Sequence, residues 1–212
     1  QPILEVIVRQ LAHHGFADIV MSVGYLAELI QAYFETANHK LPPVNLSYVK
    51  ESEPTGTAGS LALIPGLDEA FLVMNGDVLT SLDYRALVEH HRKKGGTLTI
   101  AMHRRTVQVD FGVIRLDGED RITGYEEKPS REHMVSMGVY VYEPRVLDFI
   151  EPGAYLDLPD LVLRLLDEGE KVVGYPFGGH WLDIGRHQDY EEAQALFSEA
   201  DNPFLPDAEN PC

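Results

Sequence analysis

The chain has 212 residues, and its 34 acidic and 17 basic side chains give a formal net charge of −17. A 44% hydrophobic content over this length is enough for one substantial core, which excludes disordered and fibrous proteins. The acidity argues against DNA and RNA as partners, because binding to nucleic acid requires a basic surface.

The number of cysteines and the length of the hydrophobic runs predict the cellular location of the protein. The single cysteine is Cys212, so neither an internal disulfide nor a paired-cysteine zinc site can form. No apolar run approaches the roughly 18 to 20 residues that span a bilayer. We therefore expect a cytoplasmic protein with no membrane partner. The sequence leaves open whether the protein forms a homo-oligomer.

The first half of the chain alternates predicted helices and strands. Ile3, Val6, Ile7 and Leu11 fall on one helical face, and Gly15 follows where a helix would end. In chain order the predicted elements are helix 3–11, strand 18–23, helix 26–34, strand 46–51, short helix 58–63, strand 71–74, helix 82–94 and strand 97–102. The run 71–74 is apolar on both faces and predicts a strand in the middle of a covered sheet.

The second half predicts short strands and two helices. Asp-Gly and Lys-Pro turns separate its first strands, which favours antiparallel or mixed pairing. The predicted elements are strands 112–116, 121–126 and 137–142, a helix entered at Pro159 with apolar residues to 166, strands 171–175 and 180–183, and helix 188–197. The chain is thus predicted to form one α/β domain over residues 1–198, with 199–212 as a loose tail.

The segment Asn75-Gly76-Asp77 directly follows the buried strand 71–74. Ligands of open α/β sheets collect beyond the carboxyl ends of strands, so Asp77 is a candidate ligand for a metal or a ribose hydroxyl. The same tripeptide is also typical of a plain turn.

Asp183 lies between Leu182 and Ile184, where an acidic side chain is costly unless it meets a cation or hydrogen-bond donors. It is a second candidate metal ligand. The alternative interpretation is a cap for the helix that follows.

Two further segments are weaker candidates. Pro129 ends a strand and predicts an extended Lys128 that projects toward a phosphate, although an exposed turn would have the same sequence. Gly56-Thr57-Ala58-Gly59 joins an extended segment to a helix, and its glycines permit close approach of a flat base. By itself, this segment favours a plain turn.

Taken in this order, the segments resemble those of the sugar-1-phosphate nucleotidyltransferases, also called nucleotide-sugar pyrophosphorylases. The resemblance extends to about residue 197 and rests on order and spacing rather than on one motif. The matching segments are Gln1-Pro2-Ile3-Leu4-Glu5, Val23-Gly24-Tyr25, Glu53-Pro54-Thr55-Gly56-Thr57-Ala58-Gly59, Asn75-Gly76-Asp77, Phe111-Gly112-Val113, Glu127-Lys128-Pro129, Gly138-Val139-Tyr140 and Trp181-Leu182-Asp183-Ile184-Gly185.

The resemblance implies a single Rossmann-like nucleotidyltransferase domain with a mixed, mostly parallel central sheet. The implied metal is Mg²⁺, held by Asp77 and Asp183, which together with Lys128 form the implied catalytic set. The implied nucleotide-binding residues are Gly56, Thr57, Asn75, Gly76 and Asp77. The implied sugar-phosphate-binding residues are Gly112, Glu127, Lys128, Gly138 and Gly185.

The implied reaction joins a sugar 1-phosphate to the nucleotidyl group of a nucleoside triphosphate and releases pyrophosphate. The sequence around Gly56 is most similar to that of the mannose- and heptose-1-phosphate guanylyltransferases, which implies GTP as the nucleotide substrate. The first strand and Gly-rich loop of the family are missing upstream of Gln1, so we expect the 212-residue polypeptide by itself to be nearly inactive in synthesis. A non-catalytic nucleotide-sugar-binding module and a metal-dependent glycosyltransferase remain alternatives.

Overall fold

The structure is a computed structural model that describes residues 2–24, 26–37, 41–51, 53–197 and 202–205. Its helices are α1 Ile3–His13, α2 Ala27–Ala37, α3 Gly56–Gly59, α4 Tyr84–Lys94, α5 Leu158–Asp167 and α6 His187–Phe197, with 3-10 turns at Ser60–Leu63 and Pro144–Phe149. Its strands are β1 Asp18–Val23, β2 Asn45–Lys50, β3 Phe71–Met74, β4 Val78–Thr80, β5 Leu98–Gln108, β6 Val113–Leu116, β7 Ile122–Glu126, β8 Ser130–Tyr142, β9 Val172–Phe177 and β10 Trp181–Asp183.

Four strands form the central sheet, in the order β3-β8-β5-β9. β5 and β9 are parallel, whereas β8 runs antiparallel to both β3 and β5. Three of the four strands therefore point in one direction, which confirms the predicted mixed α/β fold. The remaining ladders are the parallel pair β1–β2 and the antiparallel pairs β4–β10 and β6–β7.

Strand β3 separates two hydrophobic clusters, as its apolar sequence requires. Phe71 and Val73 pack with α5 on one face, and Leu72 and Met74 pack with α1 and α4 on the other. The prediction that both faces are covered is therefore confirmed. Its predicted place in the middle of the sheet is wrong, because among the described strands β3 has a single ladder partner, β8.

Helix α4 shows how local signals set the boundaries of an element. Asp83 precedes the helix, and its carboxylate accepts a hydrogen bond from the Ala86 N–H at 3.1 Å, as an N-cap residue does. Gly95 ends the helix with a φ of 61°, a left-handed conformation that glycine adopts at low cost. These contacts place the helix start two residues later than the predicted residue 82.

Strands β5 and β8 extend well beyond the predicted 97–102 and 137–142 to form a two-stranded arm. Their outer parts pair with each other from Met102↔Ser136 to Gln108↔Ser130. The arm was not predicted at this length because its outer residues are largely polar and exposed on both faces. The β6–β7 hairpin connects the outer ends of the two strands.

Part of the segment 199–212, predicted to be a loose tail, packs on the core. Phe204 is 1% exposed in a cluster with Val6, Leu79 and Leu182, and its carbonyl accepts a hydrogen bond from the Gln10 side chain at 2.8 Å. Residues 202–205 are therefore held in place. The rest of this segment, including Cys212, lies outside the described residues, as do Gln1 and Tyr25 of the matching segments.

Within the described ranges, the helices are all too short or too polar to cross a membrane.

Candidate active site

The β4–β10 ladder brings Asp77 and Asp183 together from distant parts of the chain. Asp183 pairs with Val78, the first residue of β4, and Asp77 immediately precedes that residue. The ladder continues into the site, because the Ile184 N–H donates to the Asp77 carbonyl at 2.9 Å. Backbone pairing thus fixes the separation of the two aspartates.

Gly185 marks the space that the two carboxylates share. A Cβ on Gly185 would stand 3.2 Å from Asp183 Oδ1 and 3.6 Å from Asp77 Oδ2. Both oxygens therefore border a space that the missing side chain leaves open. Carboxylate oxygens are the ligands that Mg²⁺ prefers, so the chemistry of this pair fits a hard divalent cation.

Asp183 also shapes the turn that leads into α6. Its Oδ1 accepts a hydrogen bond from the Gly185 N–H at 3.1 Å, and its carbonyl accepts one from the Arg186 N–H at 3.0 Å. Helix α6 begins only at His187. The carboxylate therefore stabilises the turn before the helix, rather than accepting from the helix N-terminus as the alternative interpretation required.

Asn75 and Gly138 adjoin this pair across the β3–β8 ladder. The Asn75 N–H donates to the Gly138 carbonyl at 2.8 Å. Gly138 has a φ of 74°, and a Cβ there would stand 2.9 Å from Asn75 Nδ2, so close approach and backbone conformation both require glycine. Predicted nucleotide and sugar residues, Asn75, Gly76 and Gly138, therefore lie next to Asp77.

Gly56 and Thr57 lie against the entrance of α5. A Cβ on Gly56 would stand 2.5 Å from the Leu156 carbonyl oxygen, and the φ of this glycine is 80°. Thr57 donates its N–H to Asp157 Oδ1 at 3.1 Å, and its hydroxyl accepts from the Leu158 N–H at 2.9 Å. Hydrogen bonds from Tyr155 and from Thr57 lower the pKa of Asp157. Packing within the fold thus accounts for this glycine.

Gly112, Glu127 and Lys128 lie at the outer end of the arm. The Tyr125 hydroxyl donates to Glu127 Oε2 at 2.7 Å, which raises the pKa of Tyr125, and the Tyr125 ring occupies the space beside Gly112. Among the described residues, no hydrogen bond, ion pair or strand pairing links these three residues directly to Asp77 or Asp183. The nearer part of the arm does reach the site, because Arg105, which pairs with His133, is hydrogen-bonded to Asp189 beside Asp183.

Lys128 does not have the extended backbone that Pro129 predicts. Its φ is 45°, in the left-handed region that a non-glycine residue rarely adopts. The chain bends at Glu127 and Lys128 between β7 and β8, and a hydrogen bond from the Val109 N–H to the Pro129 carbonyl at 3.0 Å joins the residue after the bend to the end of β5. The requirement of the turn overrides the local preference of a residue before proline.

Two charged residues beside Asp183 are absent from the sequence motifs. Asp189 in α6 accepts hydrogen bonds from the Asp183 N–H and from the Arg105 side chain of β5. Because these residues are far apart in the chain, no local pattern links them. Across the part of the chain that the structure describes, no group of three or more His, Cys, Asp or Glu residues is placed to share a metal.

Sequence comparison finds relatives whose names describe the same type of enzyme. UTP–glucose-1-phosphate uridylyltransferase of Synechocystis is 33% identical over 91% of this chain and 54% of its own length. The mannose-1-phosphate guanylyltransferase catalytic subunit beta of Drosophila melanogaster is 29% identical over 93% of this chain and 54% of its own. The chain therefore spans about half the length of the curated relatives it matches.

A solved structure supports the fold, and a family model identifies the family. HddC from Yersinia pseudotuberculosis complexed with GMP-PN superposes with a TM-score of 0.69 at 22% identity, covering 93% of this chain and 86% of that one. The family model for nucleotidyl transferases matches residues 1–199. Because this match takes in nearly the whole sequence, the chain belongs to the nucleotidyl transferase family.

Proposed function

We propose that the protein transfers a nucleotidyl group from a nucleoside triphosphate to a sugar 1-phosphate, giving a nucleotide sugar and pyrophosphate. The observation that carries this proposal is the pair of carboxylates, Asp77 and Asp183, that faces one open space at Gly185. Family membership supports the same reaction, since relatives are named as uridylyl- and guanylyltransferases of sugar 1-phosphates.

Asp77 and Asp183 would hold Mg²⁺, each with a carboxylate oxygen. A divalent cation supplies neutralisation of phosphate charge, the main requirement of a reaction that needs alignment more than a protein nucleophile. The chain contributes a fixed separation of the two ligands through the β4–β10 ladder. It also contributes an uncrowded site, because Gly185 places no side chain between the two carboxylates.

Asn75, Gly76, Gly138 and Gly185 border the aspartates and would contact the reacting phosphates and the sugar. Gly56 and Thr57 are proposed to line the base pocket with the side of their turn that does not contact Asp157 and Leu158, because the Thr57 N–H and hydroxyl are hydrogen-bonded to those two residues. The relatives are named both as uridylyltransferase and as guanylyltransferase, so GTP remains a prediction from the sequence around Gly56.

Glu127 and Lys128 are proposed to act on the sugar phosphate from the arm. Support comes from the left-handed backbone of Lys128, since strained residues of this kind cluster at functional sites. Gly112 is proposed to lie on the sugar side of the same arm. In this proposal the substrate would lie between the arm and the aspartates.

The test is pyrophosphate release by the full-length protein that carries this chain, with Mg²⁺, a panel of nucleoside triphosphates, and glucose 1-phosphate or mannose 1-phosphate. We expect Asp77→Asn and Asp183→Asn each to lower kcat at least ~100-fold, because each removes an anionic metal ligand. Asp167→Asn, at the exposed end of α5, is the matched control and should leave kcat unchanged.

Wild-type turnover in both site variants would contradict the proposal. Binding of a nucleotide sugar without any pyrophosphate chemistry would identify the protein as a binding module. Transfer of sugar from a nucleotide sugar to an acceptor would identify it as a glycosyltransferase. The predicted cytoplasmic location stays a prediction.

A further inference from the structure

A partly buried ion pair contacts the backbone of Asp183. Asp189, in the first turn of α6, is 3% exposed, and its Oδ2 accepts a hydrogen bond from Arg105 Nη2 at 2.5 Å. The same oxygen accepts the Asp183 N–H at 3.0 Å. One carboxylate oxygen therefore links β5, α6 and the residue proposed to bind the cation.

Arg105 makes a second contact with the same strand. Its guanidinium carbon lies 4.8 Å from the centre of the Trp181 ring, and the indole N–H of Trp181 donates to the Met137 carbonyl at 2.9 Å. Trp181 and Asp183 are alternate residues of β10, so their side chains project from the same face of the strand. The ion pair thus contacts both ends of β10, with Arg105 against Trp181 and Asp189 against the Asp183 N–H.

Strand β10 depends on such contacts because its ladder is short. It has three residues, and each pairs only with a residue of β4 in the described sheet. A three-residue antiparallel pair gives little stability by itself. Contacts from α6 and β5 therefore add to this ladder in holding the Asp183 carboxylate in place relative to Asp77.

We propose that Asp189 and Arg105 are positioning residues that hold Asp183 in the geometry for binding a divalent cation. This inference rests on the proposed function, in which Asp77 and Asp183 are the metal ligands. Residues that orient metal ligands typically change metal affinity by ~10- to 100-fold when they are removed. Neither residue would touch the cation or the substrates.

The experiment measures Mn²⁺ binding by water-proton relaxation in the wild type, Asp189→Asn and Arg105→Gln. The two variants change the local charge in opposite directions. If charge alone mattered, Asp189→Asn would weaken Mn²⁺ binding and Arg105→Gln would strengthen it. If positioning matters, both should weaken binding, by about tenfold.

A second ion pair away from the site provides the control. Glu170 pairs with Arg145, has a side chain that is 10% exposed, and accepts a hydrogen bond from Thr97. Glu170→Gln should lower the unfolding temperature without changing the affinity for Mn²⁺. Circular dichroism confirms that each variant is folded at the assay temperature.

The outcomes separate this inference from the proposed function. Absence of Mn²⁺ binding in the wild type, or retention of binding in Asp183→Asn, would overturn the metal site itself. Wild-type binding that is lost in Asp183→Asn but unchanged in Asp189→Asn, or tighter in Arg105→Gln, would overturn only the positioning role. Should Asp189→Asn fail to fold, Arg105→Gln decides, with at least a ~threefold loss required. Should Arg105→Gln fail to fold, the charge-conserving Arg105→Lys takes its place, with the same loss required.

Discussion

Gly185 is the single residue whose lack of a side chain matters most to the site. A methyl group there would stand 3.2 Å from Asp183 Oδ1 and 3.6 Å from Asp77 Oδ2, within the space proposed for the cation. We therefore expect Gly185→Ala to weaken Mn²⁺ binding at least ~tenfold in a relaxation titration. Stability should change little, because this glycine is exposed and its φ lies outside the left-handed region.

Gly178 provides the matched control for this substitution. It lies in the segment between β9 and β10, and a Cβ at this position would meet no atom within 4 Å. Gly178→Ala should leave both Mn²⁺ affinity and unfolding temperature at their wild-type values. Equal affinity in the wild type and Gly185→Ala would mean that the cation does not occupy this space.

At the scale of an element, the first residue of helix α3, Gly56, must be a glycine because it packs against the backbone that leads into α5. Gly56 and Gly66 have nearly the same φ, 80° and 77°, but only Gly56 faces a backbone atom, the Leu156 carbonyl oxygen at 2.5 Å from an added Cβ. Gly66→Ala should lower the free energy of unfolding by about 1 kcal/mol through backbone strain alone. Gly56→Ala should cost roughly 2 kcal/mol more, because the contact with α5 must open.

Urea denaturation of the two variants measures this difference. Equal losses would show that the α3–α5 contact tolerates a side chain at residue 56. The glycine would then be explained better by close approach of a nucleotide base, as the sequence resemblance implies.

At the scale of the whole molecule, the sequence predicted the elements more completely than their arrangement. The continuous apolar run of β3 correctly predicts that both faces of the strand are covered, because each side chain's preference for burial can be read from its own residue type. Its position at the sheet edge depends on which strands pair, and periodicity carries no information on pairing. The left-handed backbone of Lys128 was not predicted for a related reason, because the bend of the chain between β7 and β8 overrides the preference of one residue.

The candidate site divides in the same way. Asp77 and Asp183 could be singled out because each follows or interrupts an apolar run, where a carboxylate is unexpected. Arg105 and Asp189 could not, because their interaction depends on the packing of α6 against β5. Motif residues on the arm follow the family's order in the sequence, but their place relative to the aspartates depends on the pairing of β5 with β8, which no local pattern predicts.

The central claim is that Asp77 and Asp183 form one cation site, and the most direct measurement is anomalous diffraction from crystals soaked in Mn²⁺. We expect a manganese peak within bonding distance of carboxylate oxygens of both Asp77 and Asp183, beside Gly185. Crystals of Gly185→Ala should lack the peak. Ordered manganese elsewhere in wild-type crystals, with both aspartates contacting only water, would contradict the account.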